Sequence, residues 1–364
     1  MARRALPLPT PRARRALRGE LVAWFRGARR DLPWRRSRDP YAIWISEAML
    51  QQTRVETVLP YYARFLARLP DVDALAAAEE EVVLGLWSGL GYYSRARALR
   101  AAAQALVTRH GGRFPRTRDG WLELPGVGRY TAGAVLSIAF GAREALVDGN
   151  VLRVFARLFL LEDALGSKAL AEDSWTLAEG LLPEDGDGLD PGEWNQALME
   201  LGATLCTSRA PRCEACPLRA RCAARRAGRV PELPRPRARR AARDVRLELL
   251  LARQRARVLL VQRAAGGRMA GLWELPTREL ERADGPASGL WPETLPAGLA
   301  LERGGALGEL AHTITHHRIR AALVAARARG PQRCARARWV PAEELAGLPL
   351  TGLTRKALAL ARGP

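Results

Sequence analysis

The chain predicts two domains, an all-α domain followed by an α+β domain, and three observations in its 364 residues carry that reading. From about Leu17 to Leu205 apolar residues recur at three- and four-residue spacing, the period of helices that bury one face. The helical stretch ends in four cysteines, Cys206, Cys213, Cys216 and Cys222, spaced C-x6-C-x2-C-x5-C. From Val245 onward the apolar runs become short and strand-like. A chain of this length with 48% hydrophobic residues can bury a full core and exceeds the usual single domain.

In order along the chain, the spacing predicts helices over residues 17–29, 41–52, 94–110, 130–140, 151–160 and 194–206. Residues 225–244 are rich in Arg and Pro and poor in large apolar side chains, which reads as a linker whose charge also suits a phosphate backbone. Beyond it, residues 246–251, 258–261 and 319–325 predict strands, and residues 341–345 and 354–360 predict helices. The expected organisation is therefore a helical domain over 1–223, a linker over 224–244 and an α+β domain over 245–364. No repeat of solenoid period is visible.

The formal charge is +20 and the isoelectric point is near 11.1. Such an excess calls for a polyanionic partner, with nucleic acid ahead of acidic lipid because no amphipathic lipid anchor is evident. Lysine occurs only at Lys168 and Lys356, so nearly all of the charge is arginine. Residues 1–18 are basic but lack the apolar run of a secretion signal, and no segment is long enough to span a bilayer.

Four thiolates without a histidine suit a soft metal centre, either zinc or an iron-sulfur cluster. A disulfide framework is the alternative, and it belongs to small secreted chains, which this is not. The compartment is therefore read as reducing. Cys334 stands apart from the four and reads as an ordinary thiol.

Three further features carry chemistry. Residues 124–131, Leu-Pro-Gly-Val-Gly-Arg-Tyr-Thr, join two helical patterns through a turn in which Gly126, Val127 and Gly128 can aim backbone amides outward at the start of a helix, where an anion is favoured. The alternative is a turn that only joins two packed helices. Glu47 lies in the middle of a helix that is apolar on nearly every face, with Gln51 one turn on. It is either solvated at an edge or held dry with a raised pKa, as a general acid needs. Asp148 precedes Gly149-Asn150-Val151, where an Asp or Asn is a good helix N-cap, and spacing alone favours capping over catalysis. Two carboxylates in different surroundings are also the pattern for cleaving a glycosidic bond.

Together the hairpin, Asp148 and the cysteine loop resemble the helix-hairpin-helix DNA glycosylase superfamily, and within it the MutY-type adenine DNA glycosylases. The runs that carry the resemblance are residues 32–35, 46–53, 89–97 and 148–151, followed by the cysteines. The resemblance implies an all-α helix-hairpin-helix glycosylase domain with an iron-sulfur cluster loop, plus a C-terminal α+β Nudix-like domain. It implies excision of adenine opposite 8-oxoguanine or guanine. Glu47 would be the general acid at a purine ring nitrogen, and Asp148 the carboxylate beneath the sugar cation, with Asn150 beside it. Tyr130 stands where strand-cutting endonuclease III-type relatives have a Schiff-base lysine, which implies base removal alone. Gln52 and Tyr92 match residues that wedge into the duplex, while Tyr93 reads as core. Trp34, Arg35, Gln51 and Glu200 match the surroundings of the base, with a helix-surface charge as the other reading of Glu200. The four cysteines would hold one 4Fe-4S cluster, which the resemblance favours over zinc.

Residues 245–362 resemble the family's Nudix-like domain, most recognisably at 271–276. The glutamate array that binds magnesium in Nudix hydrolases does not follow, so nucleotide hydrolysis is not expected. The lesion-reading residues would be Ile314, Thr315 and His316, where the family usually has Phe-Ser-His; Thr315 keeps a hydroxyl and Ile314 loses an aromatic face. The partner implied is double-stranded DNA with an adenine mispair, met by a monomer in the cytoplasm at the nucleoid, with no membrane. The rival readings are a bifunctional pyrimidine-lesion glycosylase and lyase, a non-catalytic DNA-binding clamp and a nucleotide-pool hydrolase.

Overall fold

The computed structural model describes residues 8–237, 241–264, 269–280, 288, 291–292, 294–331 and 333–361. The helices are α1 (Pro11–Ala28), α2 (Pro40–Leu50), α3 (Val55–Arg68), α4 (Val72–Ala77), α5 (Glu80–Trp87), α6 (Ser94–His110), α7 (Arg118–Leu122), α8 (Arg129–Phe140), α9 (Gly149–Leu158), α10 (Lys168–Gly180), α11 (Pro191–Thr204), α12 (Ala223–Arg226) and α13 (Gly352–Leu360). The strands are β1 (Arg243–Gln254), β2 (Arg257–Gln262), β3 (Trp273–Glu274), β4 (Thr277–Glu279), β5 (Leu301–Ile314), β6 (His317–Ala328) and β7 (Ala337–Pro341). An all-α region thus precedes an α+β region, as the periods predict. No helix among the described residues is long and apolar enough to cross a membrane.

The six helices predicted between residues 17 and 206 are all present, most with shifted ends. Caps set those ends: Thr10, Asp39, Asp148 and Asp190 each accept a first-turn amide, so α1, α2, α9 and α11 begin before the apolar period does. The sequence patterning does not predict helices α3, α4, α5, α7 and α10, nor the single turn α12 at the start of the expected linker. Pro60 lies inside α3, α4 and α7 are only six and five residues long, and polar residues interrupt the period of α10.

The described residues fall into two compact units. The first is drawn from Met1–Val58, Asp71–Ala76 and Ala101–Ala238, and the second from Leu59–Pro70, Ala77–Arg100 and Arg239–Pro364. In the first, Trp44, Phe114 and Trp121 form an aromatic cluster, with Trp44 edge-on to the other two at 6.2 and 5.9 Å. The start of the expected linker is packed into this unit: Ala224 and Leu233 are buried, and the buried Arg157 donates to the carbonyls of Leu233 (2.8 Å) and Val230 (3.1 Å). Composition concealed this, because two small contacts anchor an otherwise polar run. Residues 238–240 of the same stretch lie outside the described residues.

In the second unit the strand order is β3-β2-β1-β6-β5, with β4 also on β1 and β7 on β2. The β1–β6 pair is parallel from Arg243↔His317 to Ala252↔Ala326, and the other pairs are antiparallel. Alternation buries Val245, Leu247, Leu249 and Leu251 of β1 in one core with Ile319, Ala321 and Leu323 of β6 and Leu353, Ala357 and Leu358 of α13. Helix α5 joins this unit through Glu81, which accepts from Trp273 Nε1 and Arg338 Nη2, both at 3.0 Å.

The three predicted strands lie within β1, β2 and β6. Strand β5 escaped notice because Gly304, Gly305 and Gly308 break its alternation where the ladder bulges. Residues 341–345 were expected to be helical. Pro341 instead closes β7, where it ends a strand without needing an N–H, and only the single turn Glu344–Ala346 follows.

Candidate active site

Helix α2 presents the first carboxylate. Asp39 caps it, accepting from the amides of Tyr41 (3.0 Å) and Ala42 (3.2 Å), and Pro40 sets its first turn. Every residue from Tyr41 to Met49 is buried, so Glu47 is carried into the interior with only 4% of its surface exposed. Burial is the main cause that lifts its pKa to about 7; Asp148 adds to the rise, while the hydrogen bond from Tyr130 and the charge of Arg35 oppose it. The solvated-edge alternative for Glu47 is excluded.

Tyr130 comes from α8, the second helix of the hairpin. Its hydroxyl donates to Glu47 Oε2 and lies 3.6 Å from Met199 Sδ. Burial and the charges of both Glu47 and Asp148 hold it well above the ordinary phenol range, which puts all three groups in one electrostatic neighbourhood. Gln51, just past the end of α2, donates to the hydroxyl of the next α8 residue, Thr131, at 3.3 Å.

Asp148 is indeed the N-cap of α9: Oδ1 accepts from the Val151 amide at 2.7 Å. Its other oxygen accepts from Asn150 Nδ2 at 2.8 Å. Burial raises its pKa, while these two donors, the Asn150 amide and the charge of Arg153 draw it back. The N-cap of α9 is thus also the carboxylate whose charge is felt by Glu47. Arg153, one turn along, fixes the Asn150 amide by donating to its Oδ1 (2.8 Å), and it also reaches the carbonyls of Gly202 and Cys206, both at 2.7 Å. Gly202 is required there, since a Cβ would lie 2.6 Å from Asn150 Cβ.

Glu200 is fully buried, which excludes the surface-charge reading. Arg30 grips it at 2.8 and 2.9 Å and Arg35 at 2.8 Å, and these donors outweigh the cost of burial and hold its pKa down at about 2. Trp34 is buried in the same turn as Arg35, Pro33–Arg35. Sequence reasoning missed Arg30, Thr131, Met199 and Arg153. Only Arg153 carried a signal, its three-residue spacing from Asn150 on one helix.

The turn before α8 has Gly126 at φ 71°, and the Val127 amide closes it onto the Leu124 carbonyl at 3.1 Å. Gly128 is the N-cap and supplies no side chain, so the first turn of α8 has no side-chain cap. Gly126 and Gly128 are exposed. Gln52 is exposed and sits at φ 59°, an uncommon backbone state for a non-glycine residue.

In the second unit Tyr92 is likewise at positive φ (48°) and 54% exposed, while Tyr93 is buried, with its hydroxyl accepting from the Gly89 amide at 3.2 Å. Thr315 and His316 form the two-residue turn of the β5–β6 hairpin, closed by the pair Ile314↔His317, with Thr315 at φ 54°. Ile314 packs against the core of its unit, so its side chain anchors the turn. Thr315 Oγ1 donates to the Ile314 carbonyl at 2.7 Å.

The four cysteines are free, partly exposed thiols. Burial raises the pKa of Cys216 to about 11 and also raises that of Cys222, and in both cases the neighbouring cysteines push further, so the sulfurs share one locality. Backbone amides of Leu218, Ala224 and Arg225 act against this rise, and Arg157 Nη1 lies 3.4 Å from Cys206 Sγ. Such a donor set fits a thiolate-held group whose negative charge needs N–H partners. Among the described residues, no three His, Cys, Asp or Glu side chains are grouped as ligands of a single metal ion.

Residues 45–179 match the HhH-GPD superfamily of base excision DNA repair proteins, and residues 249–360 match the NUDIX domain. The fold and the paired carboxylates therefore define a helix-hairpin-helix base-excision repair protein with a Nudix domain appended. The adenine DNA glycosylase of Mus musculus is 38% identical over 360 residues, which cover 83% of this chain and 68% of that protein. The human adenine DNA glycosylase is 36% identical over 370 residues, covering 83% of this chain and 65% of that protein. The chain belongs to the adenine DNA glycosylase family. Against the human relative it spans slightly under two thirds of the length. Among solved structures, a thermostable thymine-DNA glycosylase is 31% identical with a TM-score of 0.52, covering 60% of this chain and 99% of that one.

Proposed function

We propose that the chain removes adenine mispaired with 8-oxoguanine or guanine from double-stranded DNA by hydrolysing the N-glycosidic bond, without cutting the strand. The observation that carries this reading is a buried carboxyl, Glu47, which holds its proton to about pH 7 within the field of a second carboxylate. Glu47 delivers that proton to a ring nitrogen of the extruded purine, so the base leaves neutral. Asp148, held by Val151 and Asn150, faces the positive charge that develops on the sugar. Water then supplies the hydroxyl at the sugar carbon and a proton that restores Glu47.

Tyr130 supports the monofunctional reading. A phenol held protonated against Glu47 offers no amine for a Schiff base. The uncapped start of α8 at Gly126, Val127 and Gly128 suits a DNA phosphate. Gln52 and Tyr92, exposed on strained backbone, suit wedges that offset the few kcal/mol of base extrusion. Thr315 and His316 at the hairpin tip suit the reading of the oxidised base opposite. The Trp34 turn, with Arg35 and Glu200, suits the wall of the base pocket.

Thiols near enough to raise one another's pKa, with backbone amides and Arg157 beside them, suit one thiolate-held group, and the resemblance to the cluster-loop glycosylases makes it a 4Fe-4S cluster rather than zinc. Cys206, Cys213, Cys216 and Cys222 would hold it, and bound there it would fix the basic loop of Arg209, Arg212 and Arg219 for phosphate contact. Catalysis belongs to residues 1–223 and lesion recognition to 245–364, in a monomer acting at the nucleoid.

Three duplexes test the reading, carrying adenine opposite 8-oxoguanine, adenine opposite guanine, and thymine glycol opposite adenine. Adenine release from the first two alone, with no borohydride-trapped adduct, is the expected result. Efficient trapping, or action on thymine glycol, overturns it.

A further inference from the structure

The sheet of the second unit carries a pair of like charges with no role in the reaction above. Arg246 on β1 and Arg320 on β6 are register partners in the parallel ladder, and both are exposed. Partners in adjacent strands project from one face about 5 Å apart, where two cations repel. The flanking Val245, Leu247, Ile319 and Ala321 are buried on the opposite face.

Among the described residues, the acidic groups of β1 on the same face as Arg246 are engaged elsewhere. Asp244, two residues before Arg246, accepts from Arg318 at 2.9 and 3.1 Å. Glu248, two residues after it, is buried and takes Arg278 at 2.9 Å and Arg303 at 2.7 Å. Glu309 on β5, opposite Ala322 and so diagonal to Arg320, forms no ion pair with it among the described residues. Among the described residues, Arg246 and Arg320 are adjacent and neither forms an ion pair.

Their position gives the pair a purpose. The Arg243 amide donates to the His316 carbonyl at 2.8 Å, so the ladder begins at the Thr315–His316 turn. Arg320 follows His317 by three residues, about 10 Å along the strand. A phosphodiester between two guanidinium forks would turn their repulsion into charge-assisted hydrogen bonding.

We propose that Arg246 and Arg320 clamp a backbone phosphate of the duplex beside the base met by the hairpin turn. This rests on the reading of Thr315 and His316 as facing the lesion. The pair holds the duplex by charge and carries no base specificity.

The test uses the full chain with Glu47→Gln, so that binding is read without turnover, on a duplex with adenine opposite 8-oxoguanine. Arg246→Ala/Arg320→Ala is expected to weaken binding and to flatten the slope of log affinity against log salt by about 0.9, the contribution of one neutralised phosphate. Arg246→Lys/Arg320→Lys keeps the slope. Arg257→Ala/Arg333→Ala removes the same charge from exposed positions outside the ladder and also keeps it. Without DNA, the alanine pair should melt no lower than its parent, because a repulsion has been removed. An unchanged slope overturns the clamp, as does a lowered melting temperature, which would mark a structural role. Stabilisation of the parent by inorganic phosphate to the same extent as by duplex, lost in the alanine pair, would mark a free-anion site and also overturn it. Failure of wild-type adenine release would overturn the proposed reaction while leaving the slope comparison intact.

Discussion

Two glutamates lie buried in the same helical unit, and their proton affinities go opposite ways. Glu47 is lifted to about 7 and Glu200 is held at about 2. Burial pushes both upward, so the difference lies in their partners. Glu200 receives two guanidinium groups at 2.8 to 2.9 Å, whereas Glu47 receives one phenol and faces a second carboxylate. Arg35 contributes to both, bonding Glu200 directly and acting on Glu47 only through its charge. A dry carboxyl becomes an acid by being denied a cation, and a structural anchor by being given two.

Removing the acid gives the largest expected effect. Glu47→Gln should slow single-turnover adenine release by about 10²- to 10⁴-fold, the usual contribution of general acid catalysis, while duplex binding by gel shift persists. A loss below tenfold would return Glu47 to the core. Glu200→Ala attacks the other half of the contrast. It strands Arg30 and Arg35, and breaking a buried pair of this kind costs about 3 to 5 kcal/mol, which denaturant unfolding would register. A cost near zero would mean that the two arginines find water instead.

The same contrast predicts opposite pH signatures. The folded-state pKa of Glu47 is above its unfolded value of 4.5, so its contribution to stability is full below pH 4.5 and is lost as pH rises through about 7, a change of about 3 kcal/mol. Glu200 is depressed, so its contribution is present above pH 4.5 and is lost as pH falls through about 2. Unfolding curves of Glu47→Gln should therefore lose the decline between pH 4.5 and 7 and keep the acid limb, and Glu200→Ala should do the reverse. The rate of adenine release should fall above about pH 7, where Glu47 gives up its proton.

Much of this was legible before the fold was known. Glu47 stood out because one carboxylate interrupts an otherwise apolar helix, and the hairpin glycines and cysteines have fixed local spacing. The depth of Glu200 was not legible. Its partners Arg30 and Arg35 lie 170 and 165 residues away, and a glutamate on an amphipathic helix reads the same whether it meets water or arginine. Strand β5 was hidden by its glycines, and the packed connector by its polar composition. Local chemistry was visible in the sequence, and long-range pairing was not.

A smaller effect probes how α9 is seated. Gly202→Ala places a methyl group against Asn150, and the crowding should cost about 1 to 3 kcal/mol and reduce adenine release through the disturbed Asn150–Asp148 contact. Normal activity with normal stability would show that the two helices separate freely.

The smallest effect separates the two roles of Asp148, which capping and catalysis claim together. Asn is as good an N-cap as Asp, so Asp148→Asn should preserve the bond to the Val151 amide and change stability little, while the anion beneath the sugar is lost. Asp148→Ala removes both and should cost about 1 kcal/mol more in thermal or chemical unfolding. If adenine release falls equally in the two variants while only the alanine chain loses stability, the negative charge serves the reaction and the oxygen serves the helix. If the asparagine chain keeps its activity, the carboxylate is only a cap, and Glu47 would face the departing base without an anion to support the sugar.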